Sequence, residues 1–181
     1  EWKKVIDVHL TAYFYLTKHA SMVMRKQNYG RLIGFTSSSG LIGNPGQANY
    51  AAAKAGIAGM TRCLAIDLGR NGITANAISP TAMTRMTDSV PDSIQKNKFS
   101  EAQKASRANY AASYIAPLAT YLCSEQAWDI NGKIFYSAGK KVSIAHEPLP
   151  FRSINKPELW QIDELSTLVP DSLMNGIISK A

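Results

Sequence analysis

The sequence predicts an α/β fold: half of a doubly wound parallel sheet, with three strands, flanking helices and a C-terminal extension. Three short apolar runs, residues 31–36, 73–79 and 134–137, carry the strand prediction. The segments between them show helical periodicity. Strands that alternate with helices pair in parallel through right-handed crossovers.

Residues 1–27 read as one long helix. Val5, Ile6, Leu10, Tyr13, Leu16, Ala20, Val23 and Met24 recur at helical spacing, and Asn28-Tyr-Gly30 ends it. The first strand follows. Residues 40–46 hold three glycines and a proline, and read as a loop. A helix runs over 48–69, with Asn71-Gly72 as its exit, into the second strand. Residues 80–108 are polar and irregular, with a short helix near Ser93. Residues 111–124 are helical, and Pro117 fits only in the first turn. The third strand ends near Gly139. Beyond it, Pro148, Pro150 and Pro157 argue for an extended segment, then a short helix over 157–165 preceded by Asn155 or Lys156. This tail either packs on the domain or serves as a lid or a subunit arm. The organisation is therefore 1–139 as the catalytic part and 140–181 as an extension.

At 181 residues, with 45% hydrophobic and 18% charged residues, the chain has enough material for one globular core. Its apolar runs are too short to span a bilayer, so no membrane partner is expected. The net charge of +7 is scattered over the sequence. Without a basic stripe interleaved with aromatics, a solvated surface is expected rather than nucleic-acid binding. A basic surface also suits a phosphate-rich substrate such as an acyl-CoA. Cys63 and Cys123 lie in apolar helical patterns and read as reduced core residues of a cytoplasmic protein. His9, His19 and His146 show no metal-ligand spacing, so no metal is expected.

The chemistry concentrates in Ser37, in Tyr50 thirteen residues later, and in Lys54 four further on. Tyr50 and Lys54 stack on one helix face. A phenol with a reference pKa of about 10 is a poor base at neutral pH. An ammonium one turn away favours the phenolate, and a phenol tuned in this way exchanges a proton with an alcohol or carbonyl. Ser37, at the end of an apolar strand, can hold the same oxygen. Ser38 and Ser39 follow it, and a shift by one residue to Ser38 stays open.

Three stretches in register, Ser37, Tyr50-Ala-Ala-Ala-Lys54 and Asn76-Ala-Ile-Ser-Pro80-Thr-Ala-Met-Thr84, resemble the short-chain dehydrogenase/reductase family over about residues 1–139. The resemblance implies the C-terminal half of a Rossmann-type domain. It also implies NAD or NADP as cofactor and a secondary alcohol or ketone as small-molecule substrate. In that reading Tyr50 moves the proton, Ser37 positions the oxygen, and Lys54 tunes Tyr50 and holds the nicotinamide ribose. Pro80, Thr81, Met83 and Thr84 meet the nicotinamide amide and the phosphates. Thr81 replaces the family's glycine. His9 stands where most members carry an Asn of the proton relay, and it either relays protons or is a structural helix residue. Asp7-Val-His9-Leu, Tyr29-Gly-Arg and Arg85-Met-Thr are similar to the (3R)-hydroxyacyl-CoA dehydrogenase branch, which implies a 3-hydroxyacyl or 3-oxoacyl thioester. Steroids or other bulky ketones are the alternative substrates, and a non-catalytic scaffold is the alternative function. Residues 87–106 correspond to the family's substrate loop. Gly56 and Gly59 serve either a homodimer or homotetramer interface or packing within one subunit.

The family's Gly-rich phosphate turn is not in this sequence; Gly40-x-x-Gly43-x-x-Gly46 has the wrong spacing for it. The chain opens on Glu1. The expectation is a C-terminal fragment whose first strand has an open edge. On that expectation, the 181 residues alone are poorly stable and bind dinucleotide weakly.

Overall fold

A computed structural model describes residues 1–84 and 110–177. Two compact units divide the chain, Glu1–Ala145 and His146–Ala181.

In the first unit, α1 (Trp2–Ile6), a π-helical turn (Asp7–Thr11) and α2 (Ala12–Gln27) follow one another without a break. The sequence predicted this helix but gave no sign of the π turn in its first third. Asn28 closes α2 in the left-handed conformation, at φ 50° and ψ 34°. The strands are β1 (Gly30–Phe35), β2 (Ile73–Thr81), β3 (Ile134–Ala138) and β4 (Lys141–Ile144), in the spatial order β1-β2-β3-β4. β1–β2 and β2–β3 are parallel; β3–β4 is an antiparallel hairpin. The three expected parallel strands are present, and β4 is an addition. It turns back at Gly139 and pairs Phe135 with Ile144 and Ala138 with Lys141. Among the described residues, β1 has β2 as its one strand neighbour.

Between the strands lie α3 (Ser38–Leu41), α4 (Ala48–Gly69) and α5 (Ala116–Cys123). The helix expected over 48–69 has those bounds. Pro117 sits in the first turn of α5, where its missing N–H costs no helical bond. The region of Ser93 and the whole of 87–106 lie outside the described residues.

β2 is buried from Ile73 to Ser79 on both faces, as a central parallel strand requires. On one face Leu32, Ile73 and Ala75 pack against Ala65 and Leu68 of α4, with Ala20 and Met24 of α2 at the margin. On the other, Ile78 packs with Ile115, Leu122 and Ala127. Removing Leu122, which is fully buried, would cost about 2–5 kcal/mol. Asn76 and Asn131 tie the layers together. Asn76 Nδ2 donates to Ile130 O, and the Lys133 N–H donates to Asn76 Oδ1. Asn131 receives the Ala75 N–H and donates to Ala65 O.

Cys63 and Cys123 are exposed, which corrects the expectation that they are core residues. The buried stripe of α4 runs through Ala53, Ile57, Ala58, Thr61, Ala65 and Leu68, and Cys63 falls on its far side. In α5 only Leu122 is buried.

In the second unit the helix is α6 (Ile162–Leu168), which starts five residues later than expected. A capping box sets the start: Gln161 and Glu164 exchange side-chain-to-backbone hydrogen bonds. Lys156, expected directly before the helix, does precede it but by six residues, and pairs with Glu164 at 2.7 Å. Arg152 donates to Leu173 O and Asn175 O, closing a π turn over Val169–Leu173.

Candidate active site

The candidate residues gather where β1 runs out and α4 begins. Thr36, just past β1, donates from Oγ1 to Lys54 O at 2.7 Å, and its N–H donates to Ile78 O. These bonds hold the strand end against α4 and β2. Ser37 follows with extended backbone (φ −156°, ψ 152°) and caps α3, its Oγ accepting the Ser39 N–H at 3.2 Å. Residues 40–46, expected as a plain loop, therefore begin inside a helical turn. Gly40 brings that turn onto α4: a Cβ there would lie 2.5 Å from Ala55 N. Gly43 and Gly46 take φ values of +103° and +72°, which favour glycine.

Tyr50 and Lys54 occupy the first two turns of α4. The Asn49 side chain accepts the Tyr50 N–H at 2.8 Å, satisfying one donor of the helix start. Lys54 Nζ donates to Phe35 O at 2.8 Å and stands 5.5 Å from the Tyr50 ring centroid. Lys54 is only 9% exposed, and burial lowers its pKa from the ordinary lysine value. An ammonium carries three donors. Among the described residues the Phe35 carbonyl is the one hydrogen-bond partner recorded for Lys54, so two N–H groups remain for a ligand's hydroxyls.

His9 lies in the π turn and meets Tyr50 edge to face, at 5.2 Å between centroids and 85° between planes. The wider turn brings this stretch onto α4, where Leu10 also fills the space above Gly56. Burial first, and the Lys54 charge second, lower the His9 pKa, which keeps the ring neutral at pH 7. The structure thus groups Tyr50 with Lys54 and His9, and hangs Ser37 beside them through Thr36 and Gly40. Ser38 is exposed.

Pro80 and Thr81 are the last residues of β2 rather than the start of the following loop, because the strand runs two residues further than expected. They pair with Ser137 and Ala138. The chain then turns through Met83, whose N–H donates to Tyr110 O, to Thr84. All these residues share the C-terminal edge of the parallel strands, where α/β sheets bind ligands.

Sequence reasoning gave Ser39 and Gln47 no role in the site. Ser39 is buried, and its Oγ donates to Gln47 Oε1 at 2.8 Å, while its N–H engages Ser37. The position of Gln47, immediately before α4 and three residues ahead of Tyr50, was the available signal.

No helix among the described residues is long and apolar enough to cross a membrane. Among those residues no group of three metal-ligating side chains comes together.

The sequence profile described as enoyl-(acyl carrier protein) reductase matches residues 1–139. The peroxisomal multifunctional enzyme type 2 of Drosophila melanogaster is 38% identical over 159 residues, covering 88% of this chain and 25% of that protein. The hydroxyacyl-CoA dehydrogenase ChsB1 of Mycobacterium tuberculosis is 34% identical over 180 residues, covering 94% of this chain and 55% of that protein. A crystal structure of a short chain dehydrogenase from Mycobacterium avium superposes with a TM-score of 0.78 at 35% identity, covering 96% of this chain and 56% of the other. The chain thus spans from a quarter to about half of the length of these relatives. With three quarters of its length matched and its serine, tyrosine and lysine at the family spacing, this chain belongs to the short-chain dehydrogenase/reductase family.

Proposed function

We propose that the protein is an NAD- or NADP-dependent oxidoreductase that interconverts a secondary alcohol and a ketone, with a 3-hydroxyacyl or 3-oxoacyl thioester as substrate. The observation that carries this is the buried Lys54 ammonium. It sits one helical turn from Tyr50, and two of its donors are unused by the described residues. The relative named as a hydroxyacyl-CoA dehydrogenase supports the substrate class.

The dinucleotide supplies or accepts the hydride when bound. The chain's own groups do the rest. Lys54 holds a ribose diol with its free N–H groups and places positive charge 5.5 Å from the Tyr50 ring centroid. Tyr50 gives its proton to the ketone oxygen in one direction and takes it back in the other. Ser37 has its oxygen engaged by the Ser39 N–H, which leaves its O–H to donate to the same substrate oxygen. His9, neutral and at 5.2 Å from Tyr50 between ring centroids, passes the proton onward. Pro80, Thr81, Met83 and Thr84 form the rim on which the nicotinamide end rests. The catalytic part of the chain is residues 1–139, the span of the family match.

Partner chains enter through α2 and α4. Tyr15 and Met22 of α2 are exposed seven residues apart along one face, with Leu16 71% exposed beside them. On α4, Gly59 opens onto empty space and Ile66 is 81% exposed. We read these apolar stripes as the interface of a homodimer or homotetramer. The cytoplasm expected from the sequence competes with the peroxisome carried by one relative's name, and cell fractionation decides between them.

The test is titration of NADH and then NADPH into the purified protein, followed by nicotinamide fluorescence, with wild type and Lys54→Met. Binding of either dinucleotide that Lys54→Met weakens supports the reading. The absence of binding in the full-length protein leaves the non-catalytic scaffold.

A further inference from the structure

Ser39 serves two neighbours at once. Its N–H donates to Ser37 Oγ at 3.2 Å, and its hydroxyl donates to Gln47 Oε1 at 2.8 Å. Ser39 is 6% exposed, so both bonds are sheltered from water. In each partner the oxygen is occupied and the donor is left over: the Ser37 O–H and the Gln47 Nε2–H2 have no acceptor among the described residues. Gln47 precedes α4 with a backbone (φ −118°, ψ 31°) that places its side chain toward Ser39 rather than back over the helix start. It stands immediately before α4, three residues ahead of Tyr50 on the same stretch of chain.

We infer that Gln47 is a substrate-specificity residue. Its carboxamide N–H2 donates to the thioester carbonyl of a 3-oxoacyl or 3-hydroxyacyl substrate while Ser37 and Tyr50 hold the oxygen on C3. This rests on the substrate class proposed above and deepens it. A 1,3-dicarbonyl unit presents two acceptors separated by one methylene, and the Ser39-centred pair presents two donors fixed by one residue. Ser39 is a positioning residue, because it fixes which end of the Gln47 amide faces outward. A simple ketone has no second acceptor and gains nothing from Gln47.

The experiment compares kcat/KM of the full-length protein for two substrates. One is acetoacetyl-CoA. The other is its analogue with the thioester carbonyl replaced by methylene, a monoketone of the same length. Gln47→Ala removes the donor. Gln47→Glu keeps an oxygen for Ser39 and the shape of the side chain, but replaces the donor with a carboxylate oxygen. Both variants are expected to lower the thioester-to-monoketone ratio by about tenfold. Ser39→Ala is expected to lower the ratio by about threefold. A fall of equal size on both substrates shows a structural role and overturns the inference, as does an unchanged ratio in Gln47→Glu. A wild-type protein that reduces the monoketone but not the thioester overturns the substrate reading above, and this inference with it.

Discussion

Gly40→Ala tests whether the contact between α3 and α4 sets the site. A Cβ at position 40 would lie 2.5 Å from Ala55 N, 2.7 Å from Lys54 C and 2.8 Å from Lys54 Cβ. Carbon contacts are comfortable only from about 3.5 Å, so the turn must retreat by about 1 Å. Two of these three neighbours are backbone atoms and cannot rotate aside. Overpacking of this kind costs about 1–3 kcal/mol. At roughly 2–4 °C per kcal/mol for a chain of this size, the melting temperature falls by about 2–12 °C. The retreat also carries Ser37 away from Tyr50, and a displacement of about 1 Å lowers turnover by about a hundredfold. The control is Gly59→Ala in the same helix, where the added methyl meets nothing within 4 Å in the single chain. Replacing an interior helix glycine by alanine there raises stability by about 0.5–1 kcal/mol. Gly56→Ala falls between them, because its methyl meets the flexible Leu10 tip at 2.8 Å and 2.9 Å. Melting by circular dichroism and turnover are measured on all three. A Gly40→Ala protein that melts and turns over like wild type refutes the reasoning.

Other outcomes follow from the same geometry. Tyr50→Phe should lower turnover by about 10²–10⁴-fold and leave the melting temperature within about 1 °C of wild type; in the proposed mechanism the phenol carries the proton, so a surviving rate removes it from that role. Because the folded chain depresses the His9 pKa below 6.5, it holds fewer protons than the unfolded chain there. The penalty is complete below the folded pKa and vanishes above the unfolded one, so stability rises with pH through that window. His9→Asn should flatten that rise in urea midpoints taken from about pH 5 to 8, and an unchanged slope would assign it to other groups. Leu16→Asp with Ile66→Asp should shift sedimentation toward the monomer, since each puts a charge into the proposed apolar interface; an unchanged sedimentation coefficient counts against that interface.

The site was legible where its determinants are local. Tyr50 and Lys54 share a face because four residues make one helical turn, and α4 announces its own exit at Asn71-Gly72. β2 was legible because a strand covered on both faces is an unbroken apolar run. What depends on distant packing was not legible. Cys63 has apolar neighbours in sequence, yet which side of α4 faces the sheet is decided by Leu32 and Ile73. β4 is short and exposed, and exists through its pairing with β3. The start of α6 depends on Gln161 and Glu164 bonding to each other, which outweighs the proline that suggested an earlier start. The π turn leaves no compositional trace, though it is what puts His9 on Tyr50. Nothing in the local sequence marks Ser39 beside Ser37; its two hydrogen bonds do.

The most direct test of the central claim is turnover of acetoacetyl-CoA by the full-length protein with NADH and then NADPH, in wild type and Tyr50→Phe, followed by loss of reduced-nicotinamide absorbance. The account predicts oxidation of at least one dinucleotide by wild type and its collapse in Tyr50→Phe. No oxidation with either dinucleotide, or a Tyr50→Phe protein that keeps the wild-type rate, would contradict it.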